Sequence, residues 1–174
     1  MKPITPKLRQ LVDWRAAAWA GLISGCVFFL LNLLVTPLVL GGNPWVMVRL
    51  MASLILGEAI LAPPATFHSG ALVAAFLANG ILCFVFNLLV AYIIHRGGII
   101  IGFAGGAVLG FAIYCINFYT LTWFYPWFFA FRGWVMISNH VILGALAGGI
   151  YEWLEVERFI PIKKRKPLNL NSQG

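Results

Sequence analysis

The chain has 174 residues, of which 61% are hydrophobic and only 10% charged, and its net charge is +7. Soluble globular domains carry roughly 25% charged residues, so this composition excludes them and indicates an integral membrane protein. Once membrane spans are allotted, too little chain remains for a separate soluble domain with its own core. We therefore predict a single membrane domain with short tails.

Four apolar segments are each long enough to cross a hydrocarbon core of about 30 Å, which needs roughly 20 helical residues. In chain order, a basic N-terminal segment at 1–15 precedes spans at 16–39, 69–94, 98–121 and 134–153, and a basic tail follows at 154–174. The first span begins like a secretory signal, but its apolar part is too long and no small-x-small cleavage pattern follows it. The sequence therefore predicts an all-α fold, a polytopic membrane four-helix bundle with a retained anchor.

A shorter apolar run at 46–61 follows the first span and stops at Pro63-Pro64. At about 1.5 Å per residue it is only about 24 Å long as a helix, so we expect a short re-entrant or interfacial helix on the outer side. This run contains Arg49 and Glu58. An acid at membrane depth is costly and needs a partner, so we expect the site of this protein to include Glu58.

The basic residues predict the orientation. Ten of the 12 Lys and Arg residues lie on one side of the four-span arrangement, and only Arg49 and Arg132 lie on the other. This is the positive-inside pattern, so we expect a multi-pass protein of the bacterial inner membrane with both termini cytoplasmic. A basic tail beside a membrane fits anionic lipid head groups. Nucleic acid is not expected, because the aromatic residues that could stack on bases lie in membrane segments.

Three Gly-x-x-x-Gly pairs predict close helix contacts, because two positions without side chains share one helix face. We expect these faces to pack within the chain rather than between subunits. The pairs are Gly21 and Gly25, Gly106 and Gly110, and Gly144 and Gly148.

The sequence also contains a weak parallel repeat. The first copy has Gly21, Gly25 and Asn32 followed by Pro44-Trp45 and Arg49, and the second has Gly106, Gly110 and Asn117 followed by Pro126-Trp127 and Arg132. If the two copies arose by duplication, they would run in the same direction and be related by a symmetry axis along the membrane normal. Chance matching of glycine-rich spans is the alternative.

Most polar residues fall in the outer half of the membrane and predict an outward-facing polar vestibule, since such side chains turn to the bundle interior or to water. Arg49 and Glu58 are nine positions apart, on opposite faces of a regular helix, so we expect Glu58 to pair with Arg132, with His140 beside them. We favour a structural ion pair that fixes how the short helix docks, without transport or chemistry, and the alternative is a functional site. The candidate intramembrane polar site comprises Glu58, Arg132, His140, Arg49, Asn32, Asn79, Asn117 and Asn139.

Metal binding and catalysis receive little support. His68, His140 and Glu58 are weak candidates for a metal site, because imidazole and carboxylate suit zinc, copper or iron, but they lack ligand spacing. The three cysteines form no C-x-x-C motif and are expected to be buried apolar fillers. No catalytic motif is present, so an enzyme is not expected and the cofactor is left unknown.

The segment at 117–129 is rich in Phe, Tyr and Trp. Such residues favour the head-group level, so it predicts an outer interfacial belt joining the third and fourth spans. The alternatives are a docking surface for another membrane subunit or for a quinone-like ligand.

Several motifs resemble a family of small four-span proteobacterial inner-membrane proteins of unknown function, some of which carry a sodium:proline symporter label. The motifs are Gly42-Asn43-Pro44-Trp45, Leu56-Gly57-Glu58 with Pro63-Pro64-Ala65-Thr66-Phe67, and Asn117-Phe118-Tyr119 with Tyr125-Pro126-Trp127-Phe128. The resemblance covers about residues 16 to 153 and implies the four-span fold. Sodium/solute symporters have many more spans, so it implies no functional residue.

Two functions follow as expectations. The first is a non-catalytic accessory subunit of a larger membrane complex of the respiratory or monooxygenase type, associated with other membrane subunits or with itself. The second is a small oligomeric channel or carrier for a proton, cation or small solute that uses Glu58 and His140. The few polar residues toward the inner side, Ser24 and Asn87, favour the first.

Overall fold

The computed structural model describes residues 8–161, so part of the N-terminal segment and the basic cluster of the predicted tail lie outside the described residues. Within that range, two short strands flank six α-helices. In chain order they are β1 (Leu8–Leu11), α1 (Trp14–Leu30), α2 (Thr36–Leu40), α3 (Pro44–Leu56), α4 (Ser69–Ile94), α5 (Gly98–Cys115), α6 (Trp134–Leu154) and β2 (Arg158–Pro161). A π-helical turn, Leu31–Val35, joins α1 to α2, and a second, Ile116–Thr120, continues α5.

Four helical segments of the described chain are long and apolar enough to cross a membrane, which confirms the predicted all-α four-helix fold. They are Trp14–Leu40, Ser69–Ile94, Gly98–Trp123 and Trp134–Leu154. The protein is therefore a multi-pass membrane protein. The four segments overlap the predicted spans almost completely, because a long uninterrupted apolar run fixes a span through local composition alone.

The helices form an open ring rather than a closed square. α5 packs on α6, α6 on α1, and α1 on α4, whereas the contact between α4 and α5 is slight. The short helix α3 packs against α4 and the first π-helical turn, and its Met47 and Leu50 reach Tyr114, Phe118 and Met136 of the other half. α3 therefore joins the two halves of the bundle at the end away from the chain termini.

The predicted short helix at 46–61 is divided into two pieces. α3 ends at Leu56, Gly57 follows with φ of 78°, and Glu58–Leu61 forms a separate 3₁₀ turn. Positive φ values are unfavourable for residues with a Cβ, so glycine at this position permits the break. At 1.5 Å per residue α3 is about 20 Å long, too short to cross the membrane.

The glycine faces lie at helix contacts inside the chain. A Cβ on Gly106 would overlap the carbonyl oxygen of Gly144, and one on Gly110 would overlap that of His140. The backbones of α5 and α6 thus touch directly. Between α1 and α4 the approach is less close, since a Cβ on Gly25 would lie 2.9 Å from the Cβ of Cys83.

The two ends of the described chain are connected by the pairing of β1 with β2 and by Asp13, which caps the start of α1. β1 and β2 pair antiparallel, with Leu8 opposite Pro161. The Oδ1 atom of Asp13 accepts the N–H groups of Arg15 and Ala16 at 3.0 and 3.1 Å, and its Oδ2 accepts that of Val156 at 3.2 Å. Both segments were expected from the sequence to be tails, and this contact between them was not predicted.

These hydrogen bonds also control the ionisation of Asp13. Partial burial by itself would raise the pKa of the carboxyl, but the three backbone N–H groups favour the carboxylate and bring the pKa below its ordinary value. A lowered folded-state pKa stabilises the protein above the ordinary pKa, and this contribution is lost only as the pH falls through the lowered value. The contact between the two chain ends therefore persists at neutral pH.

We expect Gly144→Ala to destabilise the protein by about 3 kcal/mol, because the new Cβ would meet the carbonyl oxygen of Gly106 and force α5 and α6 apart. Gly80→Ala is the matched control, since nothing lies within 4 Å of a Cβ at that position of α4. Thermal unfolding in detergent, followed by the loss of helical circular dichroism, compares the two variants. Equal unfolding temperatures would contradict direct backbone contact between the helices.

Candidate functional site

A cavity of about 420 Å³ lies in the half of the bundle away from the chain termini, bounded by α1, α3, α4, α5 and α6. Its wall is mainly apolar, and none of the described residues that line it carries a formal charge. Four of the predicted polar-site residues line it together: Asn32, Asn79, Asn117 and His140. The cavity is therefore the candidate site.

His140 forms one side of the polar wall as a neutral imidazole. Its Nδ1 lies 2.8 Å from the carbonyl oxygen of Met136, and a carbonyl can only accept, so Nδ1 carries the proton. The amide Nδ2 of Asn117 can only donate and lies 3.3 Å from Nε2, so Nε2 accepts and the ring is the neutral tautomer. The rings of Phe28 and Phe118 pack edge-on against the imidazole, with centroids 4.9 and 5.8 Å away. This apolar packing favours the uncharged form.

Asn139, the residue before His140, connects α6 to the first π-helical turn rather than lining the cavity. Its Nδ2 donates to Thr36 Oγ1 at 2.9 Å and to Asn32 Oδ1 at 3.3 Å. Asn32 in turn donates to the carbonyl oxygen of Phe28 at 2.9 Å. The sequence analysis missed Thr36, although it stands four positions after Asn32, the spacing of neighbours on one helix face.

The polar residues of α4 serve its contact with α1. Asn79 donates to the carbonyl oxygen of Gly25 at 2.9 Å, and Asn87 donates to that of Ala17. Ser24, which is fully buried, is oriented toward the carbonyl oxygen of Gly21 in its own helix. These groups hold two helices together and do not form a polar path toward the termini.

The two arginines bind backbone carbonyls and aromatic rings. Arg49 donates to the carbonyl oxygens of Ala62 at 2.8 Å and Thr66 at 3.2 Å, so it fixes the loop after α3. Arg132 donates from Nε to the carbonyl oxygen of Phe118 at 2.6 Å, and its guanidinium lies 4.2 Å from the ring centroid of Tyr119. Neither guanidinium is held by an acid within residues 8–161: Arg49 bonds to carbonyls through its terminal nitrogens while its Nε has no partner, and Arg132 bonds to a carbonyl and lies over aromatic rings.

The expected pair of Glu58 and Arg132 is not formed in the described structure. Glu58 is exposed in the 3₁₀ turn after Gly57, and the hydrogen bonds of Arg132 go to Phe118 and Thr122. Glu58 therefore lies at the surface of the described structure, in the turn after the break at Gly57, and is not buried beside the cationic partner expected from the sequence.

The three weak candidates for a metal site, His68, His140 and Glu58, also lie apart from one another. His68 caps the start of α4, where its Nδ1 accepts the N–H of Ala71 at 3.0 Å, whereas His140 is buried between helices. Within residues 8–161 no group of three His, Cys, Asp or Glu side chains is close enough to hold a metal ion.

The aromatic segment after α5 is folded into short 3₁₀ turns, Leu121–Trp123 and Pro126–Phe131. Trp123 is 88% exposed, whereas Trp127 is turned inward and donates from Nε1 to Ser53 Oγ of α3 at 2.8 Å. One face of the segment thus anchors α3 over the cavity and the other faces outward. The role of Ser53 had no signal in the sequence.

The two π-helical turns extend the weak sequence repeat. One begins at Leu31 and the other at Ile116, each one residue before the asparagine of its copy. π-helical residues make up well under 1% of proteins, so a match at equivalent positions is less easily produced by chance than a match of glycines. Such turns are also frequent at functional sites. Both turns contribute their asparagine to the cavity wall.

No family model, no curated protein and no solved structure matches this chain. The resemblance to small proteobacterial inner-membrane proteins therefore stays a prediction.

We expect Arg49→Met to loosen the loop at 57–68, because three backbone carbonyls lose a charged donor, at a cost of about 2 kcal/mol. Glu58→Gln is the matched control in the same loop and should have no effect, since Glu58 is exposed. Hydrogen–deuterium exchange of this segment measures the local opening, which should be more than about tenfold faster in the arginine variant. Equal exchange in both variants would contradict the assigned role of Arg49.

Proposed function

We propose that the protein is a non-catalytic accessory subunit of a larger membrane assembly of the respiratory or monooxygenase type. The observation that carries this proposal is the use of its intramembrane polar groups. Asn32, Asn87 and Asn139 bond to neighbouring helices or to backbone carbonyls, and no charged group enters the cavity. These polar groups are engaged in hydrogen bonds that hold helices together. Such an arrangement suits a structural or binding component better than an ion conduit.

The proposed location is the bacterial inner membrane, with the chain termini in the cytoplasm. Arg9, Arg15, Arg96 and Arg158 lie at the end of the bundle that carries the described chain ends, and Arg49 and Arg132 lie at the other. This distribution supports the proposed orientation through the positive-inside rule. Anionic lipid is the proposed partner of the basic tail, whose Lys163-Lys164-Arg165-Lys166 cluster lies outside the described residues.

We assign the partner subunit to the exposed aromatic surface formed by Trp123, Phe124 and Phe129. Aromatic residues are enriched in interfaces, where they bury a large area with few rotatable bonds. The segment that carries this surface is anchored to α3 by the hydrogen bond from Trp127 to Ser53. It is therefore a preorganised platform at the end of the bundle away from the termini.

The test is affinity purification of the tagged chain from its native membranes in mild detergent, with quantitative mass spectrometry of co-migrating proteins. We expect a membrane partner at fixed stoichiometry, and Trp123→Ala should reduce its recovery about tenfold or more if this residue is an interface hot spot. Trp153→Ala is the matched control, since Trp153 is 77% exposed at the opposite end. A chain that migrates alone, or only with copies of itself, would contradict the proposal.

The second candidate is a small carrier or channel, and the observation that favours it is the convergence of Asn32, Asn79, Asn117 and His140 on one cavity. Its acid, Glu58, is exposed outside the cavity wall. We expect proteoliposomes of the wild-type chain to show no more proton or cation flux than protein-free vesicles. Flux that is present in the wild type and lost in both Glu58→Gln and His140→Gln would replace the accessory role with transport.

A further inference from the structure

The cavity is suited to a neutral ligand, because its wall is uncharged and lies between membrane-spanning helices. No described residue of its wall is charged, and His140 is held as a neutral tautomer by its bonds to Met136 and Asn117. A charged group in such a wall would lose its hydration without gaining a counter-ion, which is strongly unfavourable. The wall therefore selects against ionic ligands.

The exposed residues of the cavity wall are apolar, as expected of a mouth that opens toward lipid. Its lining includes Ile81 and Leu82 of α4 and Ile55 of α3, all of which are exposed and apolar, and it reaches Ile113 of α5. This is the side of the ring where α4 and α5 make only slight contact. A ligand would therefore enter from the bilayer between these two helices.

The polar wall keeps hydrogen-bonding capacity for a ligand. Asn117 gives one N–H to His140, and within residues 8–161 no hydrogen bond occupies its Oδ1 or its second N–H. Asn117 is only half-buried, so this amide edge is reachable from the cavity. It can donate to a carbonyl oxygen or accept from a hydroxyl.

The apolar part of the wall is rich in aromatic rings. Phe28, Phe86, Phe118, Tyr125 and Phe128 all line the cavity. Ring faces and edges favour a flat ring over a branched or purely aliphatic group. The combination of rings, one reachable amide and an apolar mouth describes a ligand with a flat polar head and a hydrocarbon tail.

We propose that the cavity binds an uncharged, lipid-soluble molecule with a quinone- or phenol-type ring, whose ring oxygen bonds to Asn117 and whose tail leaves between α4 and α5. Both π-helical turns contribute residues to the wall, and the neutral His140 fixes the orientation of the Asn117 amide. This inference does not rest on the accessory role, and failure of the co-purification experiment leaves it intact.

The test uses the full chain in lipid nanodiscs, titrated with decylubiquinone, and decylbenzene as a ligand with ring and tail but no oxygen. We expect decylubiquinone to raise the unfolding temperature in a saturable manner, as a ligand of the folded state does, and decylbenzene to have little effect. Asn117→Leu should weaken the apparent affinity by about tenfold or more, because the ring oxygen loses its partner. Equal effects of the two ligands would overturn the proposal.

A second variant keeps the test decisive if Asn117→Leu does not fold. Ala78 lines the cavity from α4 and takes no part in the polar wall, so Ala78→Leu should fill the space and abolish saturable binding. Gly80→Ala, two positions along α4 where a Cβ meets nothing within 4 Å, should bind as the wild type does. Unchanged binding in Ala78→Leu would place the ligand outside the cavity and overturn the proposal.

Discussion

The direct backbone contact of α5 with α6 is the constraint on which the rest of the structure depends. Because Gly106, Gly110 and Gly144 have no side chains, the two helices approach until their backbones touch. Lipid tails are as apolar as core side chains, so close packing of this kind, rather than a hydrophobic force, holds such helices together. The approach brings Asn117 within hydrogen-bond distance of His140. It also draws α5 toward α6 and leaves the gap beside α4 in which the cavity forms.

Several polar residues at membrane depth donate hydrogen bonds to backbone carbonyls. Side-chain donors bond to backbone carbonyls beside both π-helical turns, where the regular hydrogen-bond ladder is disturbed. Asn32 supplies one to the carbonyl oxygen of Phe28 before the first turn, and Arg132 supplies one to that of Phe118 within the second. The donors differ between the two copies of the repeat, because Asn117, the counterpart of Asn32, donates to His140, and Arg132 is the counterpart of Arg49.

The position of the charges determines which functions the fold suits. Arg49 and Arg132 donate to backbone carbonyls at one end of the bundle, where Glu58 is exposed. None of the described residues that line the cavity is charged. Moving an ion through such a wall would require a charged or hydrated path, which the hydrogen bonds of Asn79 and Asn87 do not provide. A neutral interior with an opening toward lipid suits binding of a lipid-soluble molecule and association with other membrane proteins.

The sequence by itself determined the properties that depend on neighbouring residues along the chain: the membrane class, the four spans, the short helix beside them and the glycine positions at which helices approach. It also identified Asn32, Asn79, Asn117 and His140 as polar groups at depth. Only the tertiary structure decided which groups meet. The break at Gly57 leaves Glu58 exposed and apart from Arg132, β1 pairs with β2, and four polar side chains converge on one cavity. The reason is physical: hydropathy is summed over consecutive residues, whereas a hydrogen bond depends on helix rotation and separation to within a fraction of an ångström, which distant residues set together.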